Sequence, residues 1–155
     1  MLSVTAVDLH IHTCLSPCAS LDMTPRKIVR RACERALGMI AVTDHNSAEN
    51  AAAVMAAARD TALCVIPGLE VTTAEEAHVL GLFAELEAAL SLQEIVYRHL
   101  LPGENDEDLF GMQVVANEND EVEGLNKRLL IGATSLTVNQ LVEAIHEREG
   151  LAVAA

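Results

Sequence analysis

Apolar positions along the chain switch repeatedly between a period of two and a helical period of about 3.6, the pattern of strands alternating with amphipathic helices. Residues 4–11 (VTAVDLHI) alternate and are β-branched, which predicts a strand, and the loop TCLSPCASLD follows directly on His12. Thr24-Pro25 has the form of an N-cap followed by proline at the first helical position. Ile28, Val29, Ala32, Cys33 and Ala36 then line one face, and Gly38 supplies the stop. A second strand, MIAVT, runs to Asp44-His45-Asn46, after which Ser47 is placed to cap an alanine-rich helix reaching about Thr61. LCVIP predicts a third strand. After Gly68 a short extended piece carries Glu70 to Thr73, and HVLGLF begins a further strand at His78, ahead of a helix from about Ala84 to Leu100.

Pro102 to Asp108 is acidic and glycine-broken and reads as a loop. MQVVAN and GLNKRLLIGA flank the charged tip Glu118-Asn119-Asp120-Glu121 as a hairpin or insertion, so residues 102–133 stand apart from the strand–helix alternation. A last helix capped near Thr137 spans about Val138 to Glu149, stops at Gly150 and leads into an apolar strand, LAVAA. This order predicts one α/β domain over residues 1–155, with parallel strands joined by crossover helices.

The chain is 51% hydrophobic but only 2% aromatic, so its core rests on Ala, Val, Leu and Ile, small enough for helices to pack closely on a sheet. Twenty-three acidic residues against ten basic ones give a net charge of −13, which repels a nucleic-acid backbone and disfavours nucleic acid as a partner. Half of the basic residues, Arg26, Lys27, Arg30, Arg31 and Arg35, recur at the spacing of a solvated helix face. Met1-Leu2-Ser3-Val4 has no basic segment leading into an apolar run, and no stretch reaches the roughly 18 apolar residues of a membrane span. The expectation is a cytoplasmic protein without membrane association, with Cys14, Cys18, Cys33 and Cys64 as reduced thiols.

Residues two apart in a strand share a face, so Asp8, His10 and His12 are expected to aim at one side of the sheet, where two imidazoles can share a metal ion. Asp44-His45 falls at the carboxyl end of the second strand, the end at which parallel α/β folds place their sites, and His10 and His12 occupy the same end of the first. Taken singly, Asp44 could equally cap the next helix and His45 lie on the surface; their recurrence at one sheet edge points to chemistry. Glu70 follows Pro67-Gly68 at the end of the third strand, where a carboxylate can bridge two cations and balance their charge. His78 opens a strand instead of ending one, so its position leaves ligand and core histidine as equal readings.

The segments DLHIHT, AVTDHN, PGLEVTT and AHVLGLF, in this order over residues 7–83, resemble the successive metal-binding motifs of the PHP (polymerase and histidinol phosphatase) family. The resemblance implies a distorted (β/α)7 barrel, of which this chain carries the N-terminal portion, and two or three divalent ions of Zn, Mn or Fe. It implies that His10, His12, His45, Glu70 and His78 are metal ligands, with Glu70 bridging. Asp44 is implied as the catalytic residue, orienting a ligand or handling protons, and Asp8 stands behind the ligands. The implied activity is that of a phosphoesterase, in which a metal-activated hydroxide attacks a small phosphomonoester or nucleotide in line. The alternatives are a catalytically silent metal-binding or regulatory domain, and a nuclease-type domain of a larger polymerase-like assembly.

Two features depart from the family pattern. Where many members carry Ser-Asp-Gly, Ser16 is followed here by Pro17 and Cys18, leaving Cys14, Cys18 or Asp22 to replace a loop ligand. The later histidine-bearing strand ends have no counterpart, since His99 and His146 fall within predicted helices. A chain closing on LAVAA is therefore expected to be part of a longer protein, with an open barrel prone to self-association. Asn117, Asn119 and Glu121 hint at a calcium loop, but Gly124 comes too late for an EF-hand.

Overall fold

A computed structural model describes residues 4–155; Met1 to Ser3, on which part of the reading of the N-terminus falls, lie outside the described residues. The first half follows the predicted alternation: β1 (Val7–Ile11), α1 (Pro25–Glu34), β2 (Met39–Val42), α2 (Ala51–Ala57) and β3 (Cys64–Thr72). β1, β2 and β3 are parallel neighbours. The topology then turns. β4 (His78–Leu82) runs antiparallel to β3, and β7 (Leu151–Ala154) antiparallel to β4, in the sheet order β1-β2-β3-β4-β7. This corrects the all-parallel expectation. The link Thr73 to Ala77, closed by the Thr73 amide donating to the Ala77 carbonyl at 2.9 Å, is far shorter than the roughly dozen residues a parallel crossover takes. The mixed sheet curls into a half-barrel.

One sheet face is covered by α1, α2, α3 (Leu86–His99) and α5 (Val138–His146). Ile28, Val29 and Ala32 of α1, Leu92 and Val96 of α3, and Leu141 and Ile145 of α5 pack there with Ile40, Val42, Leu69 and Val71 in the main core. The other face gathers Ala41, Leu80 and Leu82 with Leu9 and Ile66. Gly68 sits where β3 and β4 come closest: an added Cβ would lie 2.5 Å from the Gly81 carbonyl oxygen, so the glycine ahead of Glu70 keeps β4 in place beside it. Among the described residues no helix is long and apolar enough to cross a membrane.

Two helix starts test the capping expectations. Thr137 forms a full capping box with Gln140. Ser47 does not cap α2, which begins at Ala51 behind Asn50. The Ser47 hydroxyl instead lies 3.2 Å from Gln93 Oε1 and 2.7 Å from the Tyr97 hydroxyl, tying the loop to α3.

Residues 102–133 hold a short helix, α4 (Glu107–Phe110), and the hairpin of β5 (Val114–Ala116) and β6 (Val122–Leu125). Buried amides stitch this segment to the sheet. Asn46 Nδ2 donates to the Leu130 and Gly132 carbonyls, both at 2.8 Å. Asn50 Nδ2 donates to Thr13 Oγ1 (2.9 Å) and the Val114 carbonyl (3.0 Å), while its Oδ1 accepts from the Ala116 amide. At the hairpin tip Asn117, Asn119 and Glu121 bond to one another in a solvated turn. Because Asn50 is fully buried and truncation strands three partners, Asn50→Ala is expected to cost about 3 kcal/mol, or roughly 6–12 °C in Tm by thermal melt. An unchanged Tm would show that the hairpin docks without it.

Candidate metal centre

A β-bulge delivers His10 to the centre. Asp8 lies opposite Ile40, but Ile11 lies opposite Val42, so Leu9 and His10 together face the single residue Ala41. The extra residue turns Asp8 toward the helix side, where it lines a groove with Met23, Lys27 and Arg30 of the α1 region. The expectation that Asp8, His10 and His12 share a face is thereby corrected: the two histidines do, while Asp8 supports His10 only through its backbone, its Oδ1 accepting from the His10 amide at 3.3 Å.

β3 continues past its pairing with β2, and an isolated parallel bridge sets His45 beside Glu70. The Asn46 amide donates to the Glu70 carbonyl at 2.7 Å and the Glu70 amide to the Asp44 carbonyl at 3.0 Å. Asn46 takes a left-handed conformation (φ 52°) that asparagine tolerates, its Oδ1 accepting from the Thr72 amide. His78 reaches the same place because β4 is antiparallel: its first residue pairs with Thr72, two positions beyond Glu70 on the same face.

Four of the five predicted ligands converge on the carboxylate of the fifth, Glu70. Glu70 Oε2 lies 3.1 Å from His10 Nε2, 3.0 Å from His12 Nε2 and 3.5 Å from His45 Nδ1, and Oε1 lies 2.8 Å from His78 Nδ1. The Glu70 side chain is 5% exposed and that of His45 8%, whereas His10 and His78 are 40% and 41% open. His10 Nε2 and His12 Nε2 stand 3.0 Å apart. Two imidazole nitrogens and a carboxylate oxygen in a triangle of that size match three donors at right angles around one ion, since bonds of about 2.1 Å place them about 3.0 Å apart. Among the described residues His45 Nδ1 is buried without a hydrogen-bond partner, which a bound cation would answer. The donor set therefore fits divalent metal.

The electrostatics follow from this crowding. Desolvation pushes the Glu70 carboxyl up, but hydrogen bonds from His12 and His78, the charge of His45 and a bond from His10 together outweigh it and hold it at about 2. Burial drives His45 down to about 4, with Glu70 opposing and the other three histidines adding to the shift. His45 is thus a neutral imidazole, the form that binds metal.

Asp44 is fully buried and its oxygens are already engaged. Oδ1 accepts from the Thr13 amide (2.7 Å) and Ser16 Oγ (2.6 Å), and Oδ2 accepts from Thr13 Oγ1 (2.7 Å). Burial raises its pKa against these bonds. Ser16 Oγ in turn sits 3.0 Å from His12 Nδ1 and accepts from the His45 amide. Since Ser16 gives its proton to Asp44, His12 Nδ1 must carry a hydrogen, so that in the neutral imidazole Nε2 offers its lone pair to a metal ion between His10, His12 and Glu70. Ser16 was not singled out as functional from the sequence; the only signal was a hydroxyl at the family's departure point.

The three substitutes considered for the loop ligand separate cleanly. Cys14 is buried against the Val114 carbonyl, its thiol pushed up to about 11 mainly by burial, then by Asp44. Asp22 is at the surface, paired with Lys27. Cys18 lies at the centre, 3.6 Å from His12 Nδ1. His99 bonds Ser135 Oγ on the surface, and His146 ends α5; neither belongs to a cluster of candidate ligands among the described residues.

Known proteins resemble this chain in sequence over part of its length and in fold over nearly all of it. The 5'-3' exoribonuclease Rnm of Escherichia coli (strain K12) is 38% identical over 84 residues, covering 48% of this chain and 26% of that protein. Its Salmonella typhimurium counterpart is 39% identical over 83 residues, with the same coverage. The chain thus spans about a quarter of the length of these relatives. The crystal structure of a lesion-specific endonuclease from Pyrococcus furiosus superposes with a TM-score of 0.68 at 21% identity, over 97% of this chain and 34% of that one. A protein from Bifidobacterium adolescentis described as a metal-dependent phosphoesterase superposes with a TM-score of 0.64 at 16% identity, over 98% and 67%. These likenesses show a common fold. With the PHP domain profile matching residues 8–149, most of its length, this chain belongs to the PHP domain family.

Proposed function

We propose that the chain is a metal-dependent phosphoesterase that hydrolyses a small phosphomonoester or nucleotide. The observation that carries this reading is the convergence of four imidazoles on the two oxygens of buried Glu70. Imidazole and carboxylate donors suit zinc, manganese or iron ahead of magnesium. Bound there, such ions supply a hydroxide near neutral pH and charge to stabilise the phosphoryl oxygens.

The protein's own residues do the rest. His10, His12 and Glu70 hold one position, and Glu70 with His45 and His78 a second, so that Glu70 links the two. Burial keeps His45 neutral and ready to ligate. The chain Asp44–Ser16–His12 fixes the proton on His12 Nδ1 and turns its other nitrogen to the centre. The Asp44 carboxylate bonds Thr13 and Ser16 and no ligand side chain, so its role in this reading is to orient.

A second reading, processing of an RNA 5' end, is favoured by the identity to the Rnm exoribonucleases. The net charge of −13 weighs against a long RNA track and for a short or mononucleotide substrate. Incubating the protein with p-nitrophenyl phosphate, a nucleoside monophosphate and a 5'-phosphorylated oligoribonucleotide, with Mn or Zn, tests both. Phosphate release from the small esters, abolished by a chelator, is the expected result. Stepwise shortening of the oligoribonucleotide from its 5' end selects the second reading, and full activity after exhaustive metal removal overturns the metal mechanism. Inactivity with metal bound turns the balance to a silent metal-binding domain.

A further inference from the structure

The loop that departs from the family pattern puts a thiol at one corner of the centre. One donor atom from each of His12, Cys18 and His45 lies within 4.8 Å of the others. Cys18 Sγ is 3.6 Å from His12 Nδ1. The contact leaves the thiol with at most a shared bond, because the His12 Nδ1 hydrogen is directed to Ser16 Oγ at 3.0 Å. On the same corner stands His45, 6% exposed, one of whose ring nitrogens lies within 4.8 Å of Cys18 Sγ. A thiol and a buried imidazole nitrogen this close together are the donors of a mixed sulfur–nitrogen metal site. For such a pair on one tetrahedral ion, bonds of about 2.3 and 2.0 Å set sulfur and nitrogen about 3.5 Å apart.

We propose that Cys18 is a thiolate ligand, with His45, to the divalent cation of the second position, alongside the ion taken by His10, His12 Nε2 and Glu70. The proposal rests on the metal-binding reading of the centre and not on its hydrolytic activity. When the ion binds, the Cys18 S–H bond breaks, its proton leaves to solvent and a sulfur–metal bond forms; nothing is oxidised or reduced. His12 keeps its Nε2 and Ser16 contacts and forms the wall between the two positions. Thiolate ligation makes the corner selective for borderline-soft ions such as zinc, cobalt or iron(II) over magnesium and manganese, whereas the His10–His12–Glu70 position accepts harder ions.

Cobalt(II) added to the metal-stripped full chain tests this directly. A thiolate-to-cobalt charge-transfer absorption in the near ultraviolet is expected, and it should be lost in Cys18→Ser while visible absorption from imidazole- and carboxylate-held cobalt persists. Cobalt bound to the wild-type chain without the charge-transfer band, or a band unchanged in Cys18→Ser, overturns the proposal alone. A wild-type chain that binds no cobalt overturns it together with the metal reading. A second measurement needs no variant: iodoacetamide labelling followed by peptide mass mapping. Cys33 and Cys64 are exposed and belong to no candidate ligand cluster, so they serve as internal controls. Cobalt or zinc should protect Cys18 and leave those two unchanged, and equal labelling of Cys18 with and without metal would count against ligation.

Discussion

Glu70→Gln is expected to empty the centre of metal and to lower phosphoester hydrolysis by more than about 10²-fold, since loss of a mere supporting contact to a metal ligand already costs about 10–100-fold. The side chain keeps its shape, but its negative charge is gone and one oxygen becomes an NH2 group facing imidazole. Oε2 alone is shared by His10, His12 and His45, and Oε1 by His78, so no orientation of the amide serves all four. Metal content by elemental analysis and kcat/KM on p-nitrophenyl phosphate check it. A variant with full metal and activity within tenfold of wild type would mean that the imidazoles bind without a bridging carboxylate.

The metal-free chain should report the same crowding through its pH dependence. Glu70 is held at about 2, below the usual 4.5 of a glutamate, so its ionised form stabilises the fold above that ordinary value. This contribution is lost as pH falls toward 2. His45 is held at about 4, below 6.5, so the unfolded chain takes up that proton first. Stability on its account is full above about 6.5 and declines toward 4. Glu70→Gln removes only the more acidic part of this decline.

Much of the centre was legible because strand ends are marked twice, by the end of an apolar run and by the residue type that follows. His10, His12, His45 and Glu70 could be placed at one sheet edge on that ground alone. Asp8 could not be placed correctly, because a bulge is a matter of register between two strands and leaves no mark in the alternation of one. His78 was ambiguous for a related reason: only the antiparallel turn of β4 brings the start of a strand to the edge where the others end. Ser47 has the chemistry of a cap and sits before an alanine-rich stretch, yet Gln93 and Tyr97, far along the chain, claim it. Asn46 and Asn50 read as ordinary loop and helix polar residues and Gln113 as part of a hairpin arm; their work as buried clamps depends on carbonyls of residues 114–132 that no local pattern reveals.

Asp44→Asn is expected to weaken metal binding by about 10–100-fold and to destabilise the chain by about 3 kcal/mol, although Asp44 is not itself a ligand. The reason lies in the count of donors and acceptors. Thr13 Oγ1 already accepts from the Leu15 amide and from Asn50 Nδ2, so its own hydrogen must go to Asp44 Oδ2. An NH2 group in place of Oδ2 sets donor against donor in a fully buried position. Turning the amide over only moves the conflict to Oδ1, where the Thr13 amide and Ser16 hydroxyl both donate. The first orientation forces Thr13 away from Asp44 beside the Ser16 bond, and the second takes away the Ser16 acceptor and with it the bond that keeps the hydrogen on His12 Nδ1. Ser16→Ala separates the two effects, since it removes the link to His12 but leaves both Thr13 bonds to Asp44 intact. It should lose metal affinity to a similar degree with a smaller fall in Tm. If Asp44→Asn instead kept its Tm and metal affinity while kcat and its pH profile changed, Asp44 would be handling a proton in the reaction and the orienting role would be wrong.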